Sequence, residues 1–252
     1  MKSQRQEFIG AHGHPLAARL DAPDGEVRAY ALFAHCFTCG KDVLAARRVA
    51  EALTGHGIAV LRFDFTGLGA SGGEFAHTNF SSNVADLLAA ADFLRAQDRA
   101  PRLLIGHSLG GAAALAAAGQ MPEVKAVATI AAPSSPAYVT GMFSQHLEEI
   151  AREGEAEVQL AGRPFRIRQQ FVEDAGGHNL KPKIAGLRRA LLVMHAPNDD
   201  TVGLNNAMEI FMAARHPKSF ISLDDADHLL SGREDAVYVA NLIAAWAGRY
   251  LF

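Results

Sequence analysis

One serine, Ser108, stands in the pattern G-H-S-L-G that runs from Gly106 to Gly110. The apolar residues just before this pattern are typical of a buried strand, and the alanine-rich residues just after it are typical of a helix. A serine on a sharp strand-to-helix turn presents its hydroxyl above the sheet, and this turn requires small residues two positions away on either side. The pattern therefore predicts that Ser108 is a nucleophile at a helix N-terminus, where free N–H groups favour a developing anion.

A serine hydroxyl is a weak nucleophile unless a base takes its proton, and the base needs a carboxylate that orients it. His228 follows the last predicted strand, in the segment DDADH, and is the best candidate for the base. Two adjacent acids, Asp199 and Asp200, lie in HAPNDDTV after an earlier strand. We favour Asp199 as the third member because it stands three residues before Val202 in a D-x-x-V arrangement, and we expect Asp200 to cap the helix that follows. The chain order Ser, Asp, His is the expected one for a serine elbow on such a sheet.

The negative charge that develops on a carbonyl oxygen under attack requires two backbone N–H donors. One is predicted to be the N–H of Leu109, directly after the nucleophile. The other is predicted to be the N–H of Phe37, in the loop HCFTCG that follows the apolar run AYALFA. Because the main chain supplies both donors, the side chains at these positions are free to vary.

The elements that must position these residues alternate between apolar strands and amphipathic helices. Strands are predicted at residues 29–34, 58–63, 103–105, 124–132, 190–195 and 219–223, after two short antiparallel strands within residues 4–23, and helices at 42–54, 79–96, 112–118, 204–215 and 234–247. This alternation predicts a mostly parallel, doubly wound sheet with helices on both faces. The loops that carry Phe37, Ser108, Asp199 and His228 all follow strands, so they should converge on one rim of the sheet.

Composition limits the classes of function. The 252 residues are 49% hydrophobic and carry a net charge of −3, which gives no electrostatic reason for binding nucleic acid or an anionic membrane. The polar start MKSQRQEF has no apolar core of a signal peptide, and no run is long and apolar enough to span a bilayer. We therefore expect a cytoplasmic protein, a monomer or a homodimer, with a small-molecule substrate as its partner.

Cys36 and Cys39 form a C-x-x-C pattern in the predicted oxyanion loop. This pattern could be a redox pair or half of a metal site. The chain has no second cysteine pair for a structural zinc site, and a thioredoxin-like pair should open a helix rather than lie in a loop before one. We favour small buried packing residues at both positions, with redox switching of the enzyme as the alternative, and we expect no bound metal.

The segment DFTGLGASGG, from Asp64 to Gly73, is rich in glycine but lacks the spacing of a phosphate-binding loop, so we interpret it as structural. Residues 134–187 form an irregular, cap-like insertion that contains the alternating hairpin EVQLAGRPFRIRQQF. Its arginines, Arg163, Arg166 and Arg168, are expected on a solvated edge strand, with an anionic-substrate handle as the alternative. Met142, Phe143 and Leu147 either line an acyl pocket or anchor the cap.

Taken together, the segments AHCFTCGKD, LRFDFTGLGASGG, GHSLGG, HAPNDDTV and DADH resemble an α/β-hydrolase fold enzyme of the serine aminopeptidase-like and esterase branch. Two of the longer segments are similar to the hydrolase domain often found fused ahead of an OsmC-like domain. The sequence ends where that hydrolase domain ends, so we expect a single domain over residues 1–252, with any OsmC-like domain absent or removed. The resemblance implies an α/β-hydrolase fold with an eight-stranded sheet, a Ser108–Asp199–His228 triad and carboxyl-ester hydrolysis without a cofactor. One departure from the family pattern is Cys36, where most relatives have glycine.

These observations favour a serine hydrolase that cleaves esters of small or medium acyl groups through an acyl-enzyme. A thioesterase or a small-peptide hydrolase would use the same three residues, and the sequence does not encode the leaving group. A thiol-redox module that uses Cys36 and Cys39 belongs to a different class of function. A binding protein without turnover is a further alternative, but it has no need for all three groups of the triad.

Overall fold

A computed structural model describes the whole chain, residues 1–252. Its ten strands are β1 (Lys2–Ile9), β2 (Pro15–Ala22), β3 (Ala29–Ala34), β4 (Ile58–Phe63), β5 (Pro101–His107), β6 (Ala126–Ile130), β7 (Glu155–Leu160), β8 (Arg163–Arg168), β9 (Ala190–His195) and β10 (Lys218–Ser222). Eight of them form one sheet, in the order β1-β2-β4-β3-β5-β6-β9-β10. Within this sheet, the six strands β4, β3, β5, β6, β9 and β10 pair in parallel. Strands β1 and β2 form the edge next to β4, where the pairs β1–β2 and β2–β4 are antiparallel. The prediction of a mostly parallel, eight-stranded sheet is therefore confirmed.

The helices cover both faces of this sheet. They are α1 (Leu44–Thr54), α2 (Phe80–Arg95), α3 (Leu109–Ala117), α4 (Leu147–Glu153), α5 (Gln169–Gly177), α6 (Lys181–Ala185), α7 (Asn205–Ala213) and α8 (Arg233–Leu251), with 3-10 segments at Phe75–His77, Ala118–Gln120 and Pro136–His146. Leu32 of β3 belongs to the core layer under α2 and α3, whereas its neighbours Ala31 and Phe33 belong to the layer under α1 and α8. Since side chains alternate along a strand and both faces are covered, the central strands read as continuous apolar runs.

The insertion between β6 and β9 forms a small cap over the main sheet. It contains the 3-10 segment Pro136–His146, helices α4 to α6 and the predicted antiparallel hairpin of β7 and β8, which turns at Ala161 and Gly162. Phe143 is 1% exposed and its ring contacts that of Phe171 in α5, so this residue anchors the cap. Met142 is 47% exposed and faces the cavity described below. Of the two roles considered in the sequence analysis, Phe143 therefore anchors the cap and Met142 lines the pocket.

The carboxyl ends of β3, β5 and β9 lie along one rim, because these strands run parallel within the sheet. The loop after β3 contains Phe37, the turn after β5 contains Ser108, and the loop after β9 contains Asp199. His228 lies between β10 and α8. No helix of the fold has both the length and the apolar character needed to cross a membrane.

Candidate active site

Ser108 occupies a sharp turn between β5 and α3, with φ 54° and ψ −127°. Positive φ is strained for a residue with a side chain, and here the surrounding packing holds it. A Cβ atom on Gly106 would lie 2.4 Å from the carbonyl oxygen of Gly110, and one on Gly110 would lie 2.3 Å from that of Ala34. The strand and the helix therefore approach each other more closely than any side chain at these two positions allows, as the G-x-S-x-G pattern predicts.

Ser108, His228 and Asp199 form one hydrogen-bonded chain. The Ser108 Oγ lies 3.0 Å from His228 Nε2, and His228 Nδ1 lies 2.8 Å from Asp199 Oδ2. Because an ionised carboxylate can only accept, Nδ1 carries the proton and donates to Asp199. Nε2 is then left with a lone pair that accepts the Ser108 hydroxyl. All three residues are buried, which shields the chain from bulk water.

The two oxygens of Asp199 have separate partners. Oδ2 accepts from His228, whereas Oδ1 accepts from the N–H groups of Thr201 at 2.9 Å and Val202 at 2.8 Å. Burial acts to raise the pKa of the Asp199 carboxyl, but the hydrogen bonds from His228 and from these N–H groups outweigh it and hold the pKa below its usual range. The carboxylate is therefore ionised and fixed in orientation.

Asp200, the alternative acid, is exposed and accepts from the Thr201 hydroxyl at 3.1 Å. Helix α7 begins at Asn205, and no side chain caps its N-terminus. The expectation that Asp200 caps this helix was wrong, because the chain makes a further turn between Asp200 and the first residue of the helix.

Two further buried histidines hydrogen-bond to the backbone at His228 and beside Asp199. His107 Nε2 donates to the carbonyl oxygen of His228 at 2.7 Å, and His195 Nε2 donates to the carbonyl oxygen of Val202 at 2.6 Å. Burial and the positive charge that His228 can acquire lower the pKa of His107 to about 4, so its imidazole is neutral at ordinary pH. The sequence analysis predicted a role for neither histidine, and the only signal for His195 was its position at the end of a predicted strand.

The two predicted oxyanion donors, Phe37 and Leu109, line the same small cavity. Neither N–H donates to any group of the chain. The loop that carries Phe37 is held by the imidazole of His35, whose Nδ1 donates to the Cys36 carbonyl at 2.9 Å, and by the guanidinium of Arg163 from the cap, which donates to the Thr38 carbonyl. The site therefore presents two unpaired N–H groups on a loop and a helix N-terminus that are packed against each other.

Cys36 and Cys39 are joined by a disulfide bond, with their Cα atoms 5.3 Å apart. Cys36 is buried as expected, but Cys39 is only partly buried, and the expectation did not include the bond between them. The pattern alone could not distinguish the two outcomes, since pairing depends on whether the loop brings the Cβ atoms together. The bond closes a four-residue ring that contains Phe37.

The glycine-rich loop after β4 has a carboxylate at its centre. Asp64 accepts from the N–H of Ala70 at 2.9 Å and from Lys41 Nζ at 2.8 Å. A Cβ on Gly69 would lie 2.2 Å from an Asp64 oxygen, so the glycine makes room for this carboxylate. The structural interpretation of the loop is confirmed, because its N–H groups face an acid of the chain itself. No three His, Cys, Asp or Glu side chains are grouped so that they could hold a metal ion.

A cavity of about 530 Å³ opens over Ser108 and His228. Its wall includes the disulfide and Arg163, and its mouth is formed by three exposed apolar side chains, Leu44, Met142 and Leu229. The other two hairpin arginines, at positions 166 and 168, both pair with Glu155 at 3.3 and 3.0 Å, away from this cavity. They belong to a solvated edge strand, as expected.

The fold and the arrangement at its rim define an α/β-hydrolase. Residues 25–157, just over half of the chain, match the family model described as serine aminopeptidase, S33, and the chain belongs to this family. The esterase domain of a Rhodothermus marinus protein is 52% identical to it, with 100% of both chains covered and a TM-score of 0.82.

Similarity extends to a mammalian hydrolase. The human mitochondrial palmitoyl-protein thioesterase ABHD10 is 27% identical over 182 residues, which are 68% of this chain but only 56% of that protein. Alpha/beta hydrolase domain-containing protein 10 from mouse has the same fold, with a TM-score of 0.80 at 22% identity over 98% of this chain and 99% of that one. The chain therefore lies among esterase-like and thioesterase-like α/β-hydrolases.

Proposed function

We propose that the protein is a serine hydrolase that cleaves carboxylic esters of small or medium acyl groups. In this proposal Ser108 is the nucleophile, His228 is the general base and acid, and Asp199 orients His228. The N–H groups of Phe37 and Leu109 stabilise the oxyanion. The observation that carries the proposal is the continuous chain of hydrogen bonds, 3.0 and 2.8 Å long, from the Ser108 hydroxyl through His228 to Asp199.

Acylation follows from this geometry. His228 Nε2 takes the proton of Ser108 Oγ while Oγ attacks the ester carbonyl, and the carbonyl oxygen becomes an anion between the two N–H donors. The imidazolium is stabilised by the ionised Asp199. When the tetrahedral intermediate collapses, His228 gives its proton to the departing alcohol, and the acyl group stays on Ser108. Water then repeats the sequence with His228 as its base and releases the acid and free Ser108.

The relatives and the cavity support the substrate class. The esterase domain from Rhodothermus marinus, at 52% identity over the whole chain, favours esters. The apolar mouth of the cavity and its volume of about 530 Å³ favour a substrate with an apolar acyl group over a substrate with a charged acyl group. The similarity to a palmitoyl-protein thioesterase favours thioesters as the second candidate, since the same residues would expel a thiolate instead of an alcohol.

Labelling with a fluorophosphonate probe tests the nucleophile without knowledge of the substrate. We expect wild type to be labelled and Ser108→Ala to remain unlabelled. Ser144→Ala is the matched control, because Ser144 is exposed on the cap and outside the site, and it should be labelled like wild type. Folded wild-type protein that resists the probe would refute the proposal.

A substrate panel then separates the two leaving groups. We expect kcat/KM for p-nitrophenyl butyrate to exceed kcat/KM for butyryl coenzyme A and for an alanine p-nitroanilide. The reverse order between the first two would assign the protein as a thioesterase. Longer acyl chains, up to palmitoyl, measure how far the cavity extends along the chain of the substrate.

A further inference from the structure

The disulfide between Cys36 and Cys39 lies at the oxyanion site and not elsewhere in the fold. Phe37, whose N–H is one of the two proposed donors, is one of the two residues inside the ring that the disulfide closes. A hydrogen bond from the Cys39 N–H to the Cys36 carbonyl, at 3.2 Å, closes the same turn a second time. The disulfide joins the two end residues of the turn, and it thereby constrains the position of the Phe37 N–H.

The residue types in the turn from Cys36 to Cys39 do not favour its backbone conformation. Thr38 has φ 58°, in the left-handed region. A turn with positive φ at its third residue normally uses glycine or asparagine there, and a β-branched residue in this region is an outlier. Thr38 donates from Oγ1 to the Phe37 carbonyl at 2.7 Å, which adds only a local contact. Without the covalent closure, this strained conformation would be held only by hydrogen bonds, from the Cys39 N–H and His35 to the Cys36 carbonyl and from Arg163 to the Thr38 carbonyl.

We propose that the Cys36–Cys39 disulfide positions the Phe37 N–H for catalysis, so that hydrolysis is fast when the pair is oxidised and slow when it is reduced. Both cysteines are positioning residues, since they act through the backbone of Phe37. This inference rests on the proposed function, because it assigns a role within the same oxyanion site.

Small thiols can reach the bond through the substrate cavity. Both cysteines line the cavity that contains Ser108 and His228, and Cys39 is partly exposed. A dithiol such as dithiothreitol attacks one sulfur as its thiolate and forms a mixed disulfide. Its second thiol then displaces the protein thiolate. The protein gains two electrons and two protons as two cysteine thiols, and the dithiol becomes a cyclic disulfide. Oxidised dithiothreitol reverses each step.

The expected signature is a change in kcat with little change in KM. The oxyanion donors act on the charge that exists only in the transition state, whereas the acyl chain is bound by the apolar cavity in the ground state as well. Removal of one oxyanion donor typically costs about a hundredfold to a thousandfold in kcat. A donor that is displaced rather than removed should cost less, about tenfold to a hundredfold.

The experiment measures p-nitrophenyl butyrate hydrolysis by wild type before and after reduction with dithiothreitol, while thiols are counted by the mass added by a maleimide. We expect no reactive thiols and full kcat before reduction, then two thiols and a kcat lowered about tenfold or more, and recovery with oxidised dithiothreitol. The double variant Cys36→Ala/Cys39→Ala should have the low kcat from the start and should not respond to dithiothreitol. Circular dichroism and the melting temperature show that each form is folded.

Three outcomes would overturn the inference while the proposed function stands. The first is a pair of free thiols that oxidised dithiothreitol does not join in the folded protein. The second is unchanged kcat in folded protein that has gained two thiols. The third is a loss that falls on KM alone, or that follows only the fraction of unfolded protein, as a purely structural disulfide would cause. In contrast, oxidised wild type that hydrolyses no ester or thioester and resists the fluorophosphonate probe would refute the proposed function itself.

Discussion

Asp199 divides its two oxygens between His228 and the backbone of its own turn, and this division is our reason for proposing Asp199 rather than Asp200 as the acid of the triad. The N–H groups of Thr201 and Val202 fix the carboxylate plane, so that Oδ2 alone faces the imidazole. The pKa of Asp199 lies below its usual range because the hydrogen bonds from His228 and the backbone outweigh burial. The carboxylate therefore stays ionised to a lower pH than a free aspartate does.

Replacing Asp199 with Asn should lower kcat by about a thousandfold to ten-thousandfold, because an amide nitrogen facing His228 favours the wrong tautomer. KM for p-nitrophenyl butyrate should change little. Asp200→Asn is the matched control, since this adjacent carboxylate is exposed and hydrogen-bonds to the Thr201 hydroxyl rather than to His228, and its kcat should stay within about twofold of wild type. Steady-state kinetics on both variants decides the assignment. A large loss in Asp200→Asn together with an active Asp199→Asn would reverse it.

Among single residues, the sequence predicted the members of the candidate site whose spacing is local, and it missed those whose contacts are set by distant packing. Ser108 was predicted from its glycine neighbours, and Asp199 was favoured from its distance to Val202. His195 was missed because its partner, the carbonyl of Val202, is reached only when the loop folds back. The disulfide was also missed, since a C-x-x-C pattern does not state whether its loop closes.

At the scale of elements, the site depends on how closely β5, α3 and the end of β3 pack. The carbonyl oxygens of Gly110 and Ala34 lie within 2.4 Å of the positions that Cβ atoms on Gly106 and Gly110, respectively, would take. These obstacles are backbone atoms, which cannot rotate away as the end of a side chain can. The close contact brings the N-terminus of α3 against the loop of Phe37, so the two N–H groups that we propose as oxyanion donors depend on the same packing as Ser108.

Gly106→Ala should therefore destabilise the protein by about 3 kcal/mol, at the upper end for an overpacked core, and should also displace Ser108. Its new Cβ would meet the carbonyl oxygen of Gly110 at 2.4 Å. Gly176→Ala in α5 is the matched control, because a Cβ there meets nothing within 4 Å, and it should stabilise the helix by about 0.5–1 kcal/mol. Urea unfolding measures both changes. Equal stability of Gly106→Ala and wild type would mean that β5 and α3 are not in this close contact.

The elements that the sequence predicted are those whose pattern follows directly from burial. The central strands are apolar on both faces. Helix α2 was predicted to begin at Asn79, and it begins one residue later because Asn79 is its N-cap. In the cap, α5 and α6 were not predicted. α5 contains two glycines at its end, α6 has only five residues, and both are stabilised by burying Phe171 and Ile184 rather than by their own propensity.

Across the whole molecule, several titratable groups are buried, and their pKa values link stability to pH. Burial lowers the pKa of His107 to about 4 and also lowers that of His35. Burial raises the pKa of Asp86 despite its hydrogen bonds from Thr66. A raised carboxyl pKa increases the free energy of unfolding as the pH falls, whereas the lowered pKa values of the two histidines decrease it. Because these groups act together, the contribution of one histidine is best measured as a difference between wild type and a variant.

His107 should make wild type lose stability in acid. Between about pH 6.5 and about pH 4 the unfolded chain binds a proton on this imidazole that the folded chain does not, so the stabilisation is fully present above 6.5 and declines as the pH falls. His107→Gln keeps a donor in place of Nε2 but does not titrate. From pH 7 to pH 4.5, the free energy of unfolding should therefore fall by about 2–3 kcal/mol more in wild type than in His107→Gln. His14→Gln is the matched control, because His14 is exposed, and it should follow wild type. Urea titrations across this range provide the measurement, and parallel curves for wild type and His107→Gln would show that His107 is not buried as a neutral group.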